Sequence, residues 1–156
     1  MVYAQDVIEF VTVAVQTCLL LERATDEERR DLVDKLTKLL PLLYLKTRML
    51  SSVQASDEQD ANTYVTEEDY NIVRYGIEQQ FGSDDAYLEV FVDDMRYSDT
   101  PITCFISEDL ADIYQALKDM AMGYQTEIPE LMEASVSVCL LDFQTRWGQK
   151  LLNVMR

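Results

Sequence analysis

The sequence predicts an all-α fold, a bundle of about six mostly antiparallel helices, on three observations. Only four glycines and three prolines occur in 156 residues, which leaves little material for β-turns. Apolar residues make up 48% of the chain and recur at three- and four-residue spacing almost throughout. The length is that of one domain. We therefore expect residues 1–156 to form a single helical domain.

Two helices are predicted in the first 50 residues. The first runs from about Tyr3 to Arg23 and is apolar nearly all round its middle, so we expect it at the centre of the bundle. Thr25 is predicted to open the second, with Glu28 as its capping-box partner. Pro41 predicts a kink or break there, because proline lacks an N–H donor and clashes with the preceding turn. The core-facing stripe of the second helix comprises Leu32, Leu36, Leu39, Leu40 and Leu43.

The middle of the chain predicts a loop and two further helices. Residues 51–65 are polar and aperiodic, which is typical of a mobile loop. Thr66 is predicted to cap the third helix with Asp69 in the capping-box position, and Gly82 to end it. A short fourth helix is expected from about Asp84 to Met95. The predicted buried residues are Tyr70, Val73, Ile77 and Phe81 in the third helix, and Leu88, Phe91, Val92 and Met95 in the fourth.

The last third of the chain carries two long helical patterns. Residues 101–124 fit either one continuous helix with Pro101 in its first turn, or two helices that meet near Ser107. The final helix is expected to start at Pro129. The predicted core stripes are Leu110, Ile113, Tyr114, Leu117, Ala121 and Tyr124, followed by Val136, Cys139, Leu140, Phe143, Trp147, Leu151 and Val154.

Charge and composition exclude several kinds of chemistry. The chain has no histidine, so it contains neither a Ser-His-Asp triad nor a histidine-ligated metal. The net charge is −16, and residues 51–145 hold 21 acidic and three basic residues. This field opposes binding to nucleic acid and to an anionic membrane surface, and it favours a basic protein partner or a divalent cation.

Basic residues gather near the start of the chain, where Arg23, Arg29, Arg30, Lys35, Lys38, Lys46 and Arg48 lie. Acids at i−3 and i−4 pair with most of them. A basic face of this kind meeting an acidic face of a second copy would favour self-association.

The cysteines and the first helix indicate a cytoplasmic protein. Cys18, Cys104 and Cys139 cannot all pair within one chain, and none belongs to a C-x-x-C motif. They are typical of buried free thiols in a reducing compartment. The apolar segment 7–21 is too short to span a bilayer and lacks a preceding basic segment, so we interpret it as a core helix.

Four segments together resemble a known family. They are VDKLTKLLPLLYLK around Pro41, YSDTPI at 97–102, SEDLADIYQALKD at 107–119 and RWGQKLLN at 146–153. They resemble a bacterial family of uncharacterised all-helical proteins, a domain of unknown function. The resemblance implies a compact helical domain and supplies no activity, ligand or catalytic residue.

A local likeness supplies the one enzymatic hypothesis. Residues 108–112, EDLAD, resemble the E-E-L-A-D segment of all-α nucleotide pyrophosphohydrolases, which implies Mg²⁺ ligands at Asp109 and Asp112. Glu89 and Asp93 are spaced to supply a second pair of carboxylates. The E-E-x-x-E segment of those enzymes is absent, and helical geometry places Asp112 opposite the core stripe. Mg²⁺ is the only cofactor considered, and only under this alternative.

The sequence thus leaves two functional hypotheses. The favoured one is a non-enzymatic helical interaction or adaptor domain that meets a basic partner through its acidic surface. The alternative is a Mg²⁺-dependent nucleotide (pyro)phosphohydrolase. Two further features are candidate contact sites: the exposed tyrosines expected at Tyr64, Tyr87 and Tyr97, and the loop 97–101 ahead of a helix N-terminus.

Overall fold

The computed structural model describes residues 2–56, 61–89 and 101–156, and this part of the chain forms six α-helices and a two-stranded antiparallel sheet. The predicted all-α bundle is confirmed, with the small sheet as an addition. The helices are α1 (Gln5–Glu22), α2 (Arg29–Arg48), α3 (Glu67–Phe81), α4 (Ile106–Tyr124), α5 (Pro129–Asp142) and α6 (Gly148–Met155), and the strands are β1 (Ala86–Glu89) and β2 (Ile102–Phe105).

Helix α4 lies at the centre of the bundle. It packs against α1, α3, α5 and α6, and its residues Leu110, Ile113 and Leu117 are fully buried. The expectation that the first helix takes this position is wrong, because α1 leaves Ile8 and Leu19 about 40% exposed. Apolar residues all round a helix therefore did not identify the central one.

The start of α2 and its proline differ from the prediction. Thr25 lies in a 3₁₀ turn (Ala24–Asp26), and α2 begins at Arg29, with Glu28 before it making no side-chain capping bond. The expected break at Pro41 is absent, because α2 continues through it. Pro41 lies on the exposed side, where the missing N–H sacrifices one intrahelical bond while the opposite face stays buried.

Helix α3 has the predicted ends. The Thr66 Oγ1 accepts a hydrogen bond from the Asp69 N–H at 3.1 Å, and the Asp69 carboxylate accepts one from the Thr66 N–H at 3.1 Å. This is the expected capping box. Gly82 ends the helix with φ of 54°, a backbone conformation that residues with a Cβ rarely adopt.

A strand stands where the fourth helix was predicted. After a 3₁₀ turn (Gly82–Asp85), residues 86–89 form β1, which pairs with β2 in a two-stranded β-ribbon, and residues 90–95 lie outside the described residues. Leu88, predicted to be buried, is 59% exposed, whereas Glu89 is 2% exposed. Burial alternates along β1 with the two-residue period of a strand.

The 101–124 segment follows neither of the two predicted readings. Residues 102–105 are extended, and a single helix, α4, begins at Ile106. Ser107 is the second residue of that helix rather than its cap. Its backbone N–H and its hydroxyl are both bound by the buried Asp85. The 3₁₀ turn ahead of β1 thus supplies the cap of α4 from a distant part of the chain.

The final helical run starts at Pro129 as predicted, but it contains a π-helical segment. α5 passes into a π-helix (Phe143–Trp147) and then into α6. The Gly148 N–H donates to the Phe143 carbonyl, five residues back, so one extra residue is accommodated in the turn. The predicted core residues from 136 to 151 are buried here, whereas Val154 is only partly buried.

The predicted loop at 51–65 contains neither helix nor strand in its described residues, 51–56 and 61–65. The described residues at both ends of this loop are held by hydrogen bonds. Asp6 accepts hydrogen bonds from the Ser51 and Ser52 N–H groups, and Asp119 accepts bonds from the N–H groups of Tyr64 and Val65. Among the helices of the described residues, none is long and apolar enough to cross a membrane.

Candidate binding site

A cavity of about 640 Å³ lies between the β-ribbon, α4 and the α5–α6 run. Its described wall carries more acid than base. The carboxylates are Glu89, Asp109, Asp112, Asp119 and Asp142, and the cationic groups are Arg146 and Lys150. We call this feature the acidic cavity. Its size falls within the range of small-molecule sites in proteins.

The ribbon contributes one wall through its register. Tyr87 pairs with Cys104 across the two strands, and residues directly opposite each other share a face. Tyr87, Glu89 and Cys104 all line the cavity. Leu88 and Thr103 form the neighbouring pair and are exposed on the other side. Strand alternation therefore delivers a phenol, a carboxylate and a thiol to the same space.

Asp109 is a buried acid of the cavity wall. Its side chain is 6% exposed, and the Tyr87 hydroxyl donates a hydrogen bond to it. Burial raises the pKa of Asp109 to about 6, while the bond from Tyr87 and the positive charge of Lys150 act in the opposite direction. Burial and the contact with Asp109 raise the pKa of the Tyr87 phenol, which therefore stays a donor.

Asp112 joins two helices across the cavity wall. Its Oδ1 accepts a hydrogen bond from the Tyr70 hydroxyl of α3 at 2.6 Å, and its Oδ2 forms an ion pair with the Lys150 ammonium of α6. Burial and the Asp112 contact raise the pKa of Tyr70. Asp112 is therefore half-buried and partnered, which corrects the expectation that it lies on a solvated face.

Helix α6 supplies the donors that meet the acids. Asn153 donates a hydrogen bond to Glu89, three residues after Lys150 reaches Asp112. Arg156 lies with its guanidinium 5.9 Å from the centre of the Tyr87 ring and donates to the Leu88 carbonyl at 3.3 Å. One face of α6 thus holds both the ribbon and α4.

The π-helical segment sets the direction of that face. A π-bulge adds one residue to a helix, and such segments often occur at functional sites. Trp147 is buried, and its indole N–H donates to the Cys139 carbonyl at 3.1 Å. Adding a Cβ to Gly148 would place it 2.4 Å from the Phe143 carbonyl oxygen, so this turn requires glycine.

The structure brings together three of the four predicted metal ligands. Asp109, Asp112 and Glu89 line the same cavity, whereas Asp93 lies outside the described residues. Within the described ranges, no group of three or more acidic or cysteine side chains is arranged to hold a metal ion. The metal assignment stays a prediction. Of the loop 97–101, only Pro101 is described.

Sequence reasoning missed several residues of the site. Tyr87 was singled out as an exposed tyrosine, but it is half-buried and bonded to Asp109. The roles of Lys150 and Asn153 were not foreseen, although their i, i+3 spacing places them on one helix face. Helical spacing places Asp119, like Asp112, opposite the core stripe, yet it lines the cavity and accepts hydrogen bonds from backbone N–H groups.

The fold and the site together define a class: an all-helical bundle with an acidic cavity beneath a small β-ribbon. The chain belongs to the family described as domain of unknown function (DUF5063), whose sequence profile matches residues 1–156. The crystal structure of protein BF1032 from Bacteroides fragilis is similar to it, with a TM-score of 0.87 and 41% sequence identity over 99% of this chain and 90% of that chain. No curated protein matches the chain. The predicted resemblance to a bacterial helical family of unknown function is confirmed.

Proposed function

We propose that this protein is a non-enzymatic helical interaction domain whose acidic cavity binds a cationic side chain of a basic partner protein. The observation that carries the proposal is the composition of the described part of the cavity wall, which holds five carboxylates and two cationic groups. An ammonium or guanidinium group is the ligand that this balance of charge attracts.

Two features of the wall support a cationic ligand. Asp109 is buried away from water, and its ionised form gains from a cation placed beside it. The Tyr87 ring lines the cavity and has the Arg156 guanidinium 5.9 Å from its centre, a distance at which an aromatic ring attracts a cation. A lysine or arginine of a partner would find both a carboxylate and an aromatic face.

The test is a binding titration with a fluorescein-labelled oligolysine peptide, followed by fluorescence anisotropy. The variant Asp109→Asn/Asp112→Asn removes two cavity charges and keeps the side-chain shapes. The matched control, Glu130→Gln/Glu133→Gln, removes two exposed charges of α5 that do not line the cavity. We expect the cavity variant to bind at least about tenfold more weakly than the control.

Equal weakening of the two variants would contradict the proposal, because it would show that binding follows the net charge of the protein alone. An oligoglutamate peptide supplies the opposite charge and should not bind. Binding of oligoglutamate with the affinity of oligolysine would also contradict the proposal.

A Mg²⁺-dependent nucleotide hydrolase is the alternative, favoured by one observation: Asp109, Asp112 and Glu89 line the same cavity. Each of them already accepts a hydrogen bond or ion pair from Tyr87, Lys150 or Asn153, which a metal would have to displace. A thermal melt with and without millimolar Mg²⁺ at fixed ionic strength distinguishes the two functional hypotheses. A rise in Tm that disappears in the Asp109→Asn/Asp112→Asn variant supports the enzyme.

We also propose a cytoplasmic setting, with no nucleic-acid or membrane partner. Cys18 and Cys139 are buried free thiols and Cys104 is a partly exposed one, which suits a reducing compartment. The net charge of −16 repels phosphate backbones and anionic lipid surfaces.

A further inference from the structure

An apolar groove runs between helices α1 and α2 on their outer face. The two helices are antiparallel neighbours, since Glu9 of α1 pairs with Lys46 in the last turn of α2, and Asp6 binds Ser51 just after that helix. A cavity of about 500 Å³ lies between them. Its apolar lining residues are Leu19, Leu20, Leu39 and Leu42. Leu19 and Leu42 are each about 40% exposed.

The rim of this α1–α2 groove is basic. Among the described residues that line it, Arg23, Lys35 and Lys38 are basic and Glu27 is the single acid. The ion pairs of Lys35 with Glu27 and of Lys38 with Asp34 are solvent-exposed and cost little to exchange. The groove therefore combines apolar area with positive charge, in a chain that is otherwise strongly acidic. Its complement is an acidic amphipathic helix.

Helix α3 presents such a face. Ile72 and Tyr75 are 63% and 57% exposed, and they lie at i and i+3 on the solvent side. Glu68 precedes Ile72 by one helical turn on the same face and is exposed, as is the adjacent Glu67. We call this face the α3 stripe. It pairs two large apolar side chains with two acids at the helix N-terminus, and its one base, Arg74, is already paired with Glu78 at 3.0 Å.

We infer that the α3 stripe of one copy docks in the α1–α2 groove of a second copy. Ile72 and Tyr75 cover the exposed leucines, while Glu67 and Glu68 meet the basic rim. The choice of a second copy follows from charge complementarity, because one chain carries both the basic groove and its acidic counterpart. This inference does not depend on the proposed function of the acidic cavity.

Such a contact is head-to-tail, since two different surfaces meet. It therefore leaves one free groove and one free stripe at the ends of each assembly, and it builds rings or open chains. Each copy carries a net charge of −16, which opposes association at long range. At about 0.15 M salt the Debye length is about 8 Å, so the distant repulsion is screened while the contact itself is not.

The test uses two variants that each disable one surface, Leu42→Glu in the groove and Ile72→Glu in the stripe. Both positions are exposed, so neither substitution removes a core residue. The oligomeric state is measured by sedimentation velocity up to about 1 mM protein, which detects contacts of millimolar affinity. We expect the unmodified protein to associate and each variant alone to associate at least about tenfold more weakly.

The decisive sample is an equimolar mixture of the two variants. The Ile72→Glu copy keeps a working groove and the Leu42→Glu copy keeps a working stripe, so the mixture should form a heterodimer and nothing larger. The control Ile128→Glu adds the same charge at a residue that is 48% exposed and belongs to neither surface, and it should associate like the unmodified protein. A monomeric unmodified protein, a mixture that stays monomeric, or a control as weak as the variants would each overturn the inference.

Discussion

Asp85 binds Ser107 through both carboxylate oxygens: Oδ1 accepts from the Ser107 N–H at 2.7 Å, and Oδ2 accepts from the Ser107 hydroxyl at 2.6 Å. Both residues are buried, at 4% and 1% exposure. A residue ahead of β1 thereby caps α4, whose own N-terminal flanking residue is Phe105. The bond fixes the ribbon to the central helix, and so fixes the ribbon wall of the acidic cavity.

We expect Asp85→Ala to lower the free energy of unfolding by about 2–4 kcal/mol, because it leaves two buried donors of Ser107 without an acceptor. Urea unfolding measures the loss. Asp84→Ala is the control, since the Asp84–Arg29 ion pair is exposed and worth about 0–1 kcal/mol. Equal losses in the two variants would refute the capping role of Asp85.

Asp6 makes the stability of the fold depend on pH in the acidic range. Hydrogen bonds from Ser52 and Ser51 hold the pKa of Asp6 well below its ordinary value of 3.8. The stabilisation is therefore complete above that ordinary value and is lost as the pH falls toward the lower pKa of the folded state. We expect Asp6→Asn to cost about 1–3 kcal/mol at neutral pH, with the difference from the unmodified protein shrinking below about pH 4. A difference that is constant with pH would contradict this account.

Asp109 makes stability depend on pH in the opposite sense to Asp6. Its pKa is raised to about 6 in the folded protein, so the folded state binds more protons than the unfolded state between about pH 4 and pH 6. Stability contributed by this group is lost as the pH rises through that window. We compare the free energy of unfolding of Asp109→Asn with that of the unmodified protein. We expect this difference to rise in favour of the variant by up to about 3 kcal/mol as the pH goes from 4 to 8. Urea unfolding at the two pH values checks the sign.

Gly123 permits the close packing of α4 on α5. A Cβ at this position would lie 1.9 Å from the Ser135 Oγ and 2.9 Å from the Ser135 Cβ. We expect Gly123→Ala to destabilise the protein by about 1–3 kcal/mol through overpacking. The second substitution Ser135→Gly removes both clashing atoms, so the double variant should recover part of the loss. Thermal melts of the four proteins test this, and a strictly additive result would exclude the contact as the cause.

Local signals in the sequence predicted most helices, because they depend on neighbours along the chain. The Thr66–Asp69 capping box, the stop at Gly82 and the start at Pro129 are all present as expected. The strand β1 was missed because AYLE is too short to show a clear period, and the helix pattern was extended through Leu88. The break at Pro41 was over-predicted, since an exposed proline sacrifices only one bond.

The acidic cavity was foreseen only in part, because it is built from residues distant in the chain. Helical spacing placed Asp112 opposite the core stripe, yet it is half-buried and bonded to Tyr70 and Lys150. The ribbon and α6 cover that side of α4, and no local pattern predicts where they pack. Lys150 and Asp112 are 38 positions apart in the sequence, and helical periodicity does not predict contacts between residues so far apart.

The π-helical segment has a consequence for relatives of this chain. Each residue advances a helix by about 100°, so the inserted residue rotates everything after it by that angle. Lys150 and Asn153 reach the acidic cavity, and Leu151 reaches the core, only in this register. A relative that lacks one residue between 143 and 147 would present a different set of side chains to the cavity, even if every other residue were identical. In this family, a gap of one position in an alignment would change the lining of the cavity more than most substitutions would.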